Sequence, residues 1–227
     1  MAGDVVVNFM KKNFNIGENI GFGFDRTLKN VWFFVGFFIV LFISSAFFSM
    51  LDDYKLSGII GFISEFIISI SGFLFSFILF LFLLKISLNL IENVKINFKE
   101  INESLNVFLK FVLTVLTYWL IVFVGLIFFI VPGVILMIKY QFAALIVLDE
   151  KDVGIREAFR KSNVLASGVQ WKLFWFSIIS DFVNFAGLIF FFVGFLITAP
   201  TTIIAKTRIY RELKKQSQKS KTVFLQD

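Results

Sequence analysis

Between Gly125 and Gly168 the chain reads GLIFFIVPGVILMIKYQFAALIVLDEKDVGIREAFRKSNVLASG, and no other stretch restricts its folding as much. An apolar run ends there at a Val-Pro-Gly break. A second apolar run follows with a single lysine inside it, and then a charged amphipathic segment closes on a glycine. Taken back to Val107, the apolar part is long enough for two membrane crossings of about 20 residues each. Pro132-Gly133 is the natural break between them, because proline in the first turn of a helix loses no intrahelical hydrogen bond. The stretch therefore predicts a transmembrane hairpin followed by a helix lying on the membrane surface.

In that surface helix Gly154 is the expected N-cap, Glu157 the third helical residue and Gly168 the left-handed terminator. Ile155, Ala158, Phe159, Ser162 and Leu165 share one face. Glu157 is spaced to pair with Lys161 four residues on.

Three further apolar runs complete the pattern. Val31–Met50 is one span, Ser57–Leu84 a long second one, and Val169–Tyr210 again holds about two, with the break placed at Ala186-Gly187. The chain is 58% hydrophobic and 17% charged, with 35 phenylalanines, against about 45–50% apolar and about 25% charged in ordinary soluble chains. Lipid must be the solvent for much of that surface. Histidine and cysteine are both absent. Disulfides, thiolate and imidazole chemistry and the usual zinc or haem ligands go with them. No cofactor, metal or catalytic site is expected.

Orientation follows from the cations. With six spans and both termini cytoplasmic, four lysines and arginines in 1–30, four in 85–110, five in 149–172 and seven in 206–221 fall on or at the edge of cytoplasmic segments, leaving only Lys55 and Lys139 of the 22. That is the bias that fixes membrane topology. A single span over 173–205 would instead put the basic tail outside.

The expected fold is all-α and polytopic, with spans at about 31–50, 57–84, 107–130, 132–148, 169–186 and 187–207. They form three hairpins, each preceded by a short cytoplasmic amphipathic piece: Phe24–Leu28, Phe98–Ile101 and Ile155–Phe159. Residues 1–30 read as an interfacial segment, 85–106 as a polar surface linker and 208–227 as a basic cytoplasmic tail. Trp32, Trp171 and Tyr210 read as interface anchors.

Two features within the spans invite a functional reading. Gly58, Gly61, Glu65, Ser69, Gly72 and Ser76 recur every three or four positions along one face of the second span, a stripe on which another helix can pack closely. Glu65, Lys139 and Asp181 lie within apolar runs at similar depth, where an isolated charge costs about 2.5–3.5 kcal/mol. A cluster of the three would offset that cost. It would serve as a structural pin, as a proton or ion relay, or, with Glu65 and Asp181 as paired acids, in catalysis. Tyr118, Trp119 and Gln141 near mid-span read as core or as the lining of a polar cavity.

From about residue 110 to 213 the chain resembles a family of prokaryotic integral membrane proteins related to the membrane domain attached to some bacterial glycerophosphodiester phosphodiesterases. The residues that carry the resemblance are Val131-Pro132-Gly133-Val134, Lys139, Asp149-Glu150, Glu157-Ala158-Phe159, Ser162, Gly168, Pro200 and Tyr210. It implies a multi-span helical domain and no established activity. The phosphodiesterase chemistry is not carried over, since the chain has no attached soluble domain and no histidines.

The reading that follows is a non-enzymatic component of a prokaryotic inner or plasma membrane, a scaffold or accessory protein. Its partners would be anionic inner-leaflet lipids and other proteins, a second copy included. A small transporter or channel using Glu65, Lys139 and Asp181 is the alternative. Nucleic acid is excluded, because the cations are spread along membrane-adjacent segments instead of one patch.

Overall fold

The computed structural model describes residues 12–52, 58–92, 105–189 and 193–224. Among these every regular element is an α-helix. In chain order they are α1 (Ile16–Lys29), α2 (Val31–Asp52), α3 (Gly58–Ile91), α4 (Leu105–Phe128), α5 (Ile130–Tyr140), α6 (Ala143–Asp149), α7 (Ile155–Ala166), α8 (Gln170–Ile189) and α9 (Val193–Phe224). Five segments are long and apolar enough to cross a membrane: Val31–Leu51, Gly58–Ile91, Leu105–Phe128, Ile130–Asp149 and Gln170–Ile189.

Two helices organise the rest. At 1.5 Å per residue, the 34 residues of α3 and the 32 of α9 each span about 50 Å, against about 30 Å of hydrocarbon in a bilayer. Each is therefore longer than that layer is thick. Large apolar side chains on α2 and the first half of α3, such as Phe42, Ile59 and Phe62, are exposed, whereas α3 buries Leu81, Leu83, Leu84, Ile86, Leu88 and Leu90. The packed core lies toward that end of the molecule. It joins this part of α3 to Phe111 of α4, Phe142–Leu148, Ala158 and Leu165 of α7, and Ile209, Tyr210 and Leu213 of α9.

This core revises three expectations. The polar linker from residue 85 is, as far as Ile91, the last turns of α3, with Ser87 Oγ 2.9 Å from Thr207 Oγ1 of α9. The basic tail from residue 208 is continuous helix with the run before it, and Pro200 is accommodated within α9. The segment before the first span also packs on protein. Asn15 caps α1 by accepting from the Glu18 N–H, while its side-chain amide donates to Glu18 Oε1, a reciprocal box. α1 then lays Asn19, Gly23 and Thr27 against α9. A Cβ on Gly23 would collide with Thr201 O and stand 3.2 Å from Ala205 N, so only glycine permits this crossing.

Two hairpins close through glycine pairs. α4 gives way to α5 at Phe129, whose backbone is extended (φ −161°, ψ 145°). A Cβ on Gly125 would stand 3.0 Å from Gly133 Cα, and one on Gly133 2.5 Å from Leu126 Cδ2. Between α8 and α9 the same role falls to Gly187 and Gly194, where a Cβ on Gly194 would meet Gly187 O at 2.5 Å. Ala186-Gly187 is therefore a close contact inside α8, not the break between spans. The repeat piece Phe98–Ile101 lies outside the described residues.

Candidate functional site

The most highly connected polar site is where α6 ends against α9. Leucine and valine bury α6 from Leu145 to Leu148, which carries Asp149 into the core boundary, where its side chain is 9% exposed. Three groups from adjacent turns of α9 meet it. Tyr210 Oη donates to Asp149 Oδ2 at 2.8 Å, Arg211 Nη2 reaches Oδ1 at 2.8 Å, and Lys214 Nζ contacts Oδ2. The ring of contacts widens from there. Arg211 also pairs with Glu92 just past α3 at 2.6 Å, and Lys214 with Glu150 Oε1 at 2.7 Å. Glu150 Oε2 takes Lys161 of α7 at 2.5 Å. Four helices (α3, α6, α7, α9) thus meet in one alternating chain of charges.

The electrostatics follow from that geometry. Burial raises the pKa of Glu150, but hydrogen bonds and charge from Lys161 and Lys214 outweigh it and hold the carboxyl below its ordinary value. For Lys214 burial lowers the pKa, and bonding to Asp149 and Glu150 reverses the sign, so the ammonium is held above its ordinary value. The Tyr210 phenol is pushed far up, first by burial and then by the Asp149 charge. All three shifts favour one protonation pattern: Glu150 ionised, Lys214 charged, Tyr210 neutral.

A second device sits beside the junction. The candidate span Ile130–Asp149 is broken between α5 and α6 at Gln141–Phe142, and Ser162 of α7 fills the break. Its Oγ donates to Lys139 O at 2.8 Å and accepts from the Phe142 N–H at 3.2 Å. One buried hydroxyl thereby satisfies a donor and an acceptor that the interruption frees.

The residues of α7 fall largely where their spacing put them. Gly154 is the N-cap, Gly168 has φ +85°, and Ala158, Phe159, Ser162 and Leu165 are buried, with Ile155 half-buried beside them. This face covers α5, α6 and α9, so its apolar stripe is spent on protein. Glu157 pairs with Arg160 at 2.7 Å, three residues on, because Lys161 is drawn away to Glu150.

The intramembrane charges are placed differently from the expected cluster. Glu65 and Asp181 are exposed and Lys139 is half-buried, and among the described residues no ion pair joins the three. The helices explain why: α8 packs chiefly on α9 and α5, and α3 on α9 and α2. Asp181 instead lies within electrostatic reach of Lys206 on α9. One turn away, Asn184 Nδ2 donates to Thr202 Oγ1 at 3.2 Å.

Of the small-residue stripe, Gly72 meets α2, with its Cβ position 3.3 Å from the Phe48 ring. Gly61 is buried, whereas Gly58, Ser69 and Ser76 are exposed. Ser76 Oγ donates back to Gly72 O at 2.9 Å. Tyr118 Oη donates to Met137 O at 3.3 Å and Gln141 Nε2 to Ile138 O at 3.1 Å, while Trp119 is exposed. Trp32 and Trp171 point outward at 85% and 76% exposure; Tyr210, grouped with them by sequence, is fully buried.

Arg211, Lys214 and Glu92 were not singled out by the sequence reading. The signal was available: Tyr210 and Lys214 are four residues apart on one helix face, and an Asp-Glu pair awaits a cationic partner. No family model, curated protein or solved structure matches this chain.

Proposed function

We propose that the protein is a non-enzymatic, six-span component of a prokaryotic cell membrane, a scaffold or accessory subunit with both termini cytoplasmic. In this reading α9 supplies the sixth crossing, and the Asp149 junction forms a rigid cytoplasmic base. Anionic inner-leaflet lipids and protein partners, a second copy included, are what the base would contact. The related prokaryotic membrane family suggested by Pro132-Gly133, Asp149-Glu150, Ser162 and Tyr210 belongs to the same proposal.

One observation carries it. The acidic groups of the junction are consumed by Tyr210, Arg211, Lys214 and Lys161, so the most elaborate polar site ties helices together. The Asp149 carboxylate, bonded to two cations and a phenol, has its oxygens occupied by the fold itself.

A transporter reading is favoured by a different observation. Asp181, Asn184, Thr202 and Lys206 form a polar track along the α8–α9 pair, and the hydroxyls of Ser180 and Thr198 on the same helices are buried without partners among the described residues. Proteoliposomes separate the two. The scaffold reading expects no proton or ion flux above protein-free vesicles. A gradient-driven flux abolished by Asp181→Asn would replace it with the transporter. Because the chain contains no cysteine, single cysteines at positions 8 and 220 test the topology cleanly. Both should react with an impermeant maleimide from the same side, and reaction of 220 alone from outside would remove the sixth span.

A further inference from the structure

Beside the Asp149 junction, α7 and α9 enclose a cavity of about 370 Å³, within the ~300–1,000 Å³ typical of small-molecule sites. Its wall is unusual for this chain. Arg160, Lys161 and Lys214 line it together with Ser217, and the carboxylates are Glu150 and Glu157. We propose that this cavity binds a phosphate group, carried either by an anionic lipid headgroup or by a small soluble phosphate.

Three observations converge on that ligand. The first is donor surplus. An ammonium has three donors; Lys161 spends one on Glu150, and Lys214 shares its donors between Asp149 and Glu150. Glu150 lies between the two lysines, bonding one through each oxygen, so it fixes both ammonium groups at the cavity wall while neutralising only part of their charge.

The second is a replaceable partner. Arg160 is 76% exposed and, among the described residues, paired only with Glu157 on its own helix. Exposed pairs of that kind contribute little, and a planar guanidinium matches phosphate oxygens in a two-point fork. An entering phosphate exchanges a weak partner for a better one.

The third is Ser217, whose Oγ is buried without a hydrogen-bond partner among the described residues. A hydroxyl left unsatisfied in a cavity lined by cations is suited to donate to a phosphate oxygen.

The inference rests on the membrane reading only for the lipid source; the soluble source tests the cavity alone. The full chain would be purified in detergent and titrated with inorganic phosphate, against sulfate at equal ionic strength, following the melting temperature. In parallel it would be placed in phosphatidylcholine nanodiscs with and without phosphatidic acid. A saturable upward shift is expected in one arm or both. Saturation in both arms, or with inorganic phosphate alone, assigns a soluble ligand; a shift only with phosphatidic acid assigns a headgroup.

Arg160→Gln and Ser217→Ala should each weaken the response about tenfold, the loss of one charge-assisted bond. Lys172→Gln, an exposed cation outside the cavity, should leave it unchanged. Equal responses in all variants, or no saturation in either arm, would overturn the proposal. The topology result from cysteine labelling is independent of both outcomes.

Discussion

Asp149→Ala probes the junction most directly. The carboxylate accepts from Tyr210 at 2.8 Å and Arg211 at 2.8 Å and contacts Lys214. Deleting it leaves the phenol, fully buried, with no acceptor, at a cost of about 1–3 kcal/mol. Removing one partner of a buried ion pair costs about 3–5 kcal/mol when the survivor is stranded. Here the survivors are not stranded, because Arg211 keeps Glu92 and Lys214 keeps Glu150, and each cation is 20% exposed. The combined loss should therefore fall near the lower figure, about 3 kcal/mol. Tyr210→Phe removes only the hydroxyl and leaves both cations on Asp149, for about 1 kcal/mol.

The double variant should cost less than the sum of the two by about 1 kcal/mol, since the shared bond is lost once. Reversible unfolding in mixed micelles with a rising fraction of dodecyl sulfate, followed by tryptophan fluorescence, measures all three. If Tyr210→Phe cost as much as Asp149→Ala, or the pair proved additive, the junction would not be the charge-centred lock described.

Other perturbations separate the remaining contacts. Gly23→Ala should destabilise by about 1–3 kcal/mol through overpacking against the α9 backbone. Gly21→Ala on the same helix, with open space at its Cβ, should stabilise by about 0.5–1 kcal/mol; equal effects in the same unfolding assay would dissolve the α1–α9 crossing.

Ser162→Ala strands the Phe142 N–H and the Lys139 carbonyl and should cost about 1–3 kcal/mol, while Ser162→Thr, which retains the hydroxyl, should cost less. Faster amide exchange at Phe142 in the alanine variant alone is the check.

Acid should release the junction. Glu150 is held below its ordinary pKa, so its contribution is complete above about pH 4.3 and disappears as pH falls through the lower folded value. Lys214 is held above its ordinary pKa, so its share is complete below about pH 10.4 and is lost only as pH rises through the raised value. Resistance to dodecyl sulfate should thus be flat between about pH 5 and 10. Lys161→Met should move the acid edge upward, and an unmoved edge would show that Lys161 does not hold Glu150.

Much of this architecture is legible from residue order alone. Apolar runs, the glycine before α7 and the glycine after it determine helices whose causes are local: hydrophobic length, capping and positive φ. The α7 face could be read from its 3.6-residue period. What covers that face could not, because a helix that packs on protein and one that floats in headgroups show the same stripe. By sequence α1 and α7 both read as lying on lipid, and both rest on other helices.

The same ambiguity hid the junction. Tyr210 beside arginine and lysine at the end of an apolar run has the composition of an interface anchor. It becomes a buried donor only because α9 continues far enough for Asp149, 61 residues earlier, to meet it.

The misplaced charge cluster has a converse cause. Equal depth brings charges together only if their helices are neighbours, and depth is a local property while adjacency is not. Glu65 and Asp181 share an expected depth but ride on helices, α3 and α8, that each pack on α9 and not chiefly on one another. Lys206 reads from the sequence as one of the cytoplasmic cations that close the last span, yet on α9 it lies within electrostatic reach of Asp181 on α8 because Gly187 and Gly194 set the register of that hairpin. A glycine pair thus determines which charges can meet. Substituting Gly194 by a residue with a Cβ, which Gly187 O at 2.5 Å forbids, should shift the register and separate Asp181 from Lys206. Cysteines at 184 and 202, bridged by a short crosslinker in the parent and not in Gly194→Leu, would demonstrate it; unchanged crosslinking would place control of the register elsewhere.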